Sequence, residues 1–420
     1  MSKTSLMGKD FFSDIKYKLL SNSFNLLFSL VYFIVIPNIL NVEDYGNFQF
    51  IKSTFPIYFN LLTFGSTQAF FRYASSKKRS ESYIGIQIAL VILILFSVLV
   101  LVGLLFIFGF FQNLISNFSV SLFFVGYFYG ASLWLSNIVI GFSDAKSLTK
   151  KTTKILLLVK ALFFTFFIFL LLKEYLNLSS FLIFNILLFS FQTISILILC
   201  QKFLRIKTIL KRGKKYFKYH KKYILNFCKP IFIFTIISAV YDIFDFSFLQ
   251  LVGGSKEQAY YGLGNNFAAI SITVISAFIP IIFREFARNI SLNIKKVIYL
   301  YSVFGFKIYC LVLIISTIIS FNTDYLTNFF FTNNDYNEAK IPWMILAYLP
   351  VNTVFGQLSS ILYFSSDRNI QYKNILFVNM AIGTFLTLFF LSDGSFGLNL
   401  GATGLSIKKV MSQFISVNCL

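Results

Sequence analysis

Long apolar runs dominate the chain and follow one another with little interruption. They fall at about residues 18–40, 47–71, 83–111, 118–142, 155–172, 178–200, 223–250, 258–283, 297–320, 341–364, 374–391 and 398–418. A helix needs about 20 apolar residues to cross a bilayer core, and these runs have that length. Within each run the apolar positions are continuous rather than alternating, which predicts helices and not barrel strands. The pattern therefore predicts an all-α membrane protein of about twelve transmembrane helices. Six lie on each side of a polar stretch near the middle. That gives a first six-helix bundle at 1–200, a linker at 201–222 and a second six-helix bundle at 223–420. The first run follows Lys9, Lys16 and Lys18 but lacks a small-residue cleavage site after it, so it is expected to stay as a span.

Composition agrees. Of the 420 residues, 57% are hydrophobic and 13% charged, against about 25% charged in a soluble domain. The net charge of +21 would suit nucleic acid, but its placement points elsewhere. Alternate connections are basic: Lys3, Lys9, Lys16 and Lys18 at the start, then Arg72 and Lys77 to Arg79, Lys146 to Lys154, and Arg284 to Lys296. The 201–222 stretch alone holds ten Lys or Arg. The connections between them, at 41–46, 112–117, 173–177, 251–257 and 321–340, have one such residue or none. Positive residues mark the cytoplasmic side, so both termini are expected inside, with anionic lipid rather than nucleic acid as the partner of the basic loops. The 321–340 connection reads as a solvated linker.

The two halves carry a repeated signal. Glu43-Asp44-Tyr45-Gly46-Asn47-Phe48 aligns with Lys256-Glu257-Gln258-Ala259-Tyr260-Tyr261, each opening a span that ends at Phe71-Arg72 or Phe283-Arg284. In the first of these spans Gln49, Ser53, Pro56, Asn60, Thr63 and Thr67 recur at helical spacing; in the second Gly262, Asn266, Ala269, Thr273, Ser276 and Pro280 do. Such stripes either pack helices together or line a cavity between the bundles.

With these features the chain resembles the polysaccharide-repeat (O-antigen) flippases of the multidrug/oligosaccharidyl-lipid/polysaccharide exporter superfamily. The resemblance rests on the six-plus-six spans, the Val42-Glu43-Asp44-Tyr45-Gly46 turn, the Ser255-to-Tyr261 turn and the Gly401-Ala402-Thr403-Gly404 run that opens the last span. It implies two pseudo-symmetric bundles around a central cavity in a bacterial inner membrane. The implied cargo is an undecaprenyl-diphosphate-linked oligosaccharide, flipped outward by alternating access without a cofactor. A polysaccharide polymerase and a chain-length regulator are the implied protein partners. Lys408-Lys409, about 15 Å into the last span, leaves a full final span and an interfacial or irregular end as the two readings.

Ionisable groups inside a bilayer cost about 2.5–3.5 kcal/mol and usually serve a function. Lys52, Lys160, Lys229 and Lys307 fall inside predicted spans. With Arg72 and Arg284 they are the candidate cations for a diphosphate. Lys160 and Lys229 can instead snorkel to the basic side, and the two arginines can be cytoplasmic anchors. Lys307, about ten residues into its span, is expected to face the cavity. Asp242 and Asp245, one turn apart in span seven, are candidates for H⁺ or Na⁺ coupling, for counter-charges to the embedded lysines, or for an outer pair hydrated from the periplasm. They are also what favours the alternative of a drug or ion exporter.

Catalytic signals are weak. His220 sits among lysines, and Cys200, Cys228, Cys310 and Cys419 form no CxxC. No phosphate-binding Gly-rich loop is present. A membrane-integral glycosyltransferase or polymerase is the remaining, weaker reading.

Overall fold

A computed structural model describes residues 9–61, 80–114, 119–146, 148–201, 206–276, 294–356, 369–393 and 397–419. Helices account for nearly all of them, and no strand occurs among them. In order they are α1 Lys9–Ile39, α2 Val42–Leu61, α3 Ser80–Ile107, α4 Phe110–Leu114, α5 Val120–Ala145, α6 Thr149–Leu172, α7 Leu178–Cys200 and α8 Ile206–Ser276. There follow α9 Ile294–Phe321, α10 Thr323–Phe330, a 3₁₀ segment Asn334–Ala339 and α11 Lys340–Leu346. A short α12 covers 349–356, and α13 Asn369–Leu391 and α14 Gly401–Cys419 close the chain.

Six helical stretches among the described residues are long and apolar enough to span a membrane, and α9 with α10, bent by 66°, makes a seventh where the pair is taken as one span. The chain is thus a multi-pass membrane protein. Most of the other expected spans are helical where described; α2 among them carries Glu43, Asp44 and Lys52.

Local chemistry sets the ends. Ser119 accepts from Leu122 N–H at 3.2 Å and caps α5. Asn177 and Ser180 form a reciprocal capping box on α7. Asn41 accepts from Asp44 N–H at 2.7 Å, and Glu43 and Asp44 put negative charge in the first turn of α2, where the helix dipole favours it. The 251–257 turn expected between spans shrinks to a break at Gly254, whose φ of 71° and ψ of −169° suit only glycine. The basic 201–222 stretch, expected as a linker, is helical from Ile206 and runs unbroken into the seventh span. Lysine and leucine favour that continuation, and no proline interrupts it before Pro230.

Packing divides the chain into two compact units. One comprises Met1–Ser21 and Ile51–Ile243, the other Asn22–Phe50 and Phe244–Leu420. In the first, α5 packs along α7, and α6 against α7. Gly126 and Gly130 of α5 let Phe55 of α2 lie flat on the helix; a Cβ there would come within 2.8 and 3.0 Å of Phe55. In the second, α13 and α11 pack on α14. An aromatic cluster of Phe33, Phe267, Phe331 and Trp343 fills its interior, with ring centroids 5.0–6.1 Å apart.

Candidate functional site

Helix α2 is two-faced. Ile51, Thr54, Phe55, Tyr58 and Phe59 are buried, turned into the first unit. At 100° per residue the opposite face carries Gln49, Ser53, Pro56 and Asn60, with Lys52 at its edge. Burial falls steadily along it: Gln49 is buried, Lys52 and Ser53 are half-buried, and Asn60 is exposed. A polar helix face that opens progressively is suited to lining water rather than lipid. The aligned face of α8 shows the same gradient, with Gly262 buried, Asn266 half-buried and Ala269 exposed. Thr273 and Ser276 lie further along the helical backbone of α8, as Lys229 does before the break; their side chains are outside the described residues.

The repeat segments touch at their buried ends, all within the second unit. A Cβ on Gly46 would lie 1.8 Å from the Ser255 carbonyl oxygen, so only glycine admits this approach. Ser255 Oγ donates to Asn47 Oδ1 at 2.6 Å, and Asn266 Nδ2 donates to Tyr45 Oη at 3.1 Å. Gln49 packs on Gly262, where a Cβ would meet its Cγ at 2.6 Å. Glu43 and Lys256 add an exposed ion pair at 3.9 Å, a weak contribution at such exposure. So the two turns singled out by the sequence form one tight joint, and the Gln49 end of the stripe is helix packing, not cavity wall.

The candidate cations have different fates. Lys52 lies beside the polar face of α2, and Lys160 is half-buried within α6. Lys307 is exposed, on the same face of α9 as Leu311, Ile314 and Ile318. Arg72 and Arg284 lie outside the described residues, as do Thr63, Thr67 and Pro280 of the two stripes.

Asp242 is half-buried, whereas Asp245 is buried. Asp245 is therefore no hydrated outer carboxylate. It accepts from Thr387 Oγ1 of α13 at 2.8 Å and is ion-paired with Lys408 Nζ of α14, itself 0% exposed. Thr387 Oγ1 is also 2.9 Å from the Gly383 carbonyl. A buried charge survives only when paired and hydrogen-bonded, which is how α14 keeps a lysine at mid-length and stays helical. The reading of an irregular last segment gives way here to a regular helix. Sequence reasoning offered the carboxylates as counter-charges for embedded lysines but did not match Asp245 with Lys408.

The start of α14 is held the same way. Asn399 and Gly401 have φ of 46° and 52°. Glu257 Oε2, from α8 just past its break, accepts from Ala402 N–H at 2.5 Å, a carboxylate on a helix N-terminus. A Cβ on Gly401 would strike that carboxylate at 2.4 Å, and one on Gly404 would crowd the Phe390 carbonyl at 2.9 Å. Both glycines of the Gly401-Ala402-Thr403-Gly404 run are thus set by close approach. Among the described residues no three His, Cys, Asp or Glu side chains cluster as a metal site.

No protein of curated function matches this sequence. Among solved structures the chain is similar to one described as the lipid II flippase MurJ, inward closed conformation. The TM-score is 0.60 and the identity 16%, over 97% of this chain and 86% of that one. At that identity the likeness is one of fold. The family model described as polysaccharide biosynthesis protein matches residues 12–284. With that match spanning more than half its length, the chain belongs to the polysaccharide biosynthesis protein family.

Proposed function

We propose that this protein is a secondary transporter that flips a lipid-linked oligosaccharide. In the proposed reaction an undecaprenyl-diphosphate-linked repeat unit moves from the cytoplasmic to the periplasmic leaflet of a bacterial inner membrane. It feeds surface polysaccharide, O-antigen or capsule, and moves by alternating access between two six-helix halves. The observation that carries this reading is the graded polar face of α2, repeated on α8, each closed at the Gly46–Ser255 end and opening away from it. Sugar hydroxyls need such hydrogen-bonding surface, and the diphosphate needs a cation to lower the cost of a low-dielectric path. Lys52, beside the α2 face, is the cation in position to serve. Family membership and the MurJ-like fold support a lipid-linked cargo.

The exporter alternative loses its main support. It rested on two interior carboxylates, and the charge of Asp245 is matched internally by Lys408. Asp242 remains the candidate for H⁺ or Na⁺ coupling.

The test is deletion of the gene in its host, with complementation scored for surface polysaccharide. Deletion is expected to leave the lipid-linked repeat unit on the cytoplasmic side of the membrane. The wild-type gene restores export, Lys52→Ala does not, and Lys52→Arg restores part of it because charge is kept while geometry changes. Normal surface polysaccharide in the deletion strain, or full complementation by Lys52→Ala, would count against the proposal and against Lys52 respectively.

A further inference from the structure

The stretch between α9 and α11, which reads as a solvated linker, is ordered into α10 and a 3₁₀ turn, and α10 is built inside out. The strip turned to the protein is Thr323 and Thr327, both buried. Their hydroxyls are satisfied within the chain's own turns, Thr323 donating to the Ser320 carbonyl at 3.0 Å and Thr327 to the Thr323 carbonyl at 2.7 Å. The exposed strip is aromatic. Tyr325 and Phe329 are 67% and 68% exposed and stack at a centroid distance of 5.9 Å, with ring planes 16° apart. A second exposed strip, Asp324 and Asn328, is polar and sits about 100° round the helix from the aromatic one.

The surroundings fix where such a helix goes. Leu311, Ile314 and Ile318 form the outward apolar strip of α9, and Phe321 at its end is 84% exposed. In a spanning helix that strip meets lipid. The chain then turns by 66° into α10, so α10 runs closer to the membrane plane than to its normal, even allowing for the usual tilt of about 20° in α9. The far end of α10 is clamped. Asn38 of α1 donates through Nδ2 to the Phe330 carbonyl at 2.7 Å and accepts through Oδ1 from Thr332 N–H at 2.8 Å. Asp324, the one charged residue of α10, pairs with Lys340 at 3.3 Å.

We infer that α10 is an interfacial anchor. It lies flat at the membrane–water boundary on the end of α9 far from the basic 284–296 stretch, with Tyr325 and Phe329 inserted at headgroup depth and Asp324 and Asn328 in water. Exposed aromatics favour this layer because their rings are apolar and their edges tolerate water. The occupant is the lipid interface because the aromatic strip follows directly on the lipid-facing strip of α9. This inference does not depend on the transport reading.

The test uses the full chain reconstituted in phosphatidylcholine vesicles, with Phe329→Trp and Tyr325→Trp made separately. The parent's emission, from Trp134 and Trp343, is subtracted. Bromine placed near the headgroup end of the acyl chains should quench the added tryptophan about twice as strongly as bromine near the chain terminus. Acrylamide in the water should quench it weakly. Three results would overturn the inference. Strong acrylamide quenching without bromine quenching puts the strip in water. Stronger quenching by the deep bromine makes α10 a continuation of the span. Quenching by neither means that protein, such as a second copy, covers it. Having two variants guards against one failing to fold.

Discussion

Lys408→Met isolates the ammonium from its stem, because methionine keeps most of the lysine's length and volume. In the variant Asp245, buried, keeps the Thr387 hydroxyl but loses its counter-charge. Removing one partner of a buried pair costs about 3–5 kcal/mol, since the survivor stays desolvated and uncompensated. At about 1.4 kcal/mol per tenfold, the folding equilibrium should fall by about two to four powers of ten. Replacing both partners removes the orphan charge, so Asp245→Asn with Lys408→Met should recover most of the loss. The coupling between the sites should then be of the order of the single-variant penalty, far above the few tenths seen for independent sites. Lys408→Arg should not rescue, because a planar fork does not fit a space closed around an ammonium. The assay is reversible unfolding of the purified chain in mixed micelles by rising SDS fraction. A Lys408→Met variant as stable as wild type, or a double variant carrying the sum of both penalties, would refute the pairing as the reason a lysine is tolerated inside α14.

Gly46→Ala should destabilise by about 1–3 kcal/mol, because its Cβ meets the Ser255 backbone, whereas Gly262→Ala meets the movable Gln49 side chain and should cost less; the same SDS titration ranks them. Asn38→Ala should cost about 1–3 kcal/mol by orphaning the Phe330 carbonyl and Thr332 N–H, and hydrogen exchange at 330–332 should rise with it. Glu257→Gln keeps an acceptor for Ala402 N–H but removes the charge on the α14 dipole; a loss of about 0.5–1 kcal/mol is expected, with the larger loss for Glu257→Ala. Single cysteines at 215 and 337 in a cysteine-free chain should label from opposite sides of intact cells, 337 from outside, as the Lys/Arg alternation requires.

What the sequence disclosed, and what it hid, follows from the range of each signal. Helices were legible because a lipid-facing helix is written as a continuous apolar run, and the Glu43–Gly46, Ser255–Tyr261 and Gly401–Gly404 segments stood out as polar or glycine breaks between runs. That the first two form one joint was not legible, since Gly46 and Ser255 meet through backbone atoms that no side-chain pattern records. Lys408 and Asp245 are 163 residues apart; that the carboxylates could balance embedded lysines was legible, but which lysine Asp245 meets was not. The 321–340 segment hid its two short helices because an eight-residue element shows barely two turns of periodicity, and its asparagines read as loop. The graded exposure of Gln49, Ser53 and Asn60 needed coordinates, although their shared face was plain from spacing.

The proposed cargo is a lipid-diphosphate-linked oligosaccharide, moved across a bilayer. The direct measurement is flipping of a fluorescent undecaprenyl-diphosphate oligosaccharide in vesicles containing the purified protein, read by loss of label exposed to a membrane-impermeant reductant. In protein-free vesicles about half of the label, the outer-leaflet share, should be bleached. With the protein present, bleaching is expected to continue towards completion, and to slow strongly with Lys52→Ala. Bleaching that stops at the outer-leaflet share with folded wild-type protein would contradict the account.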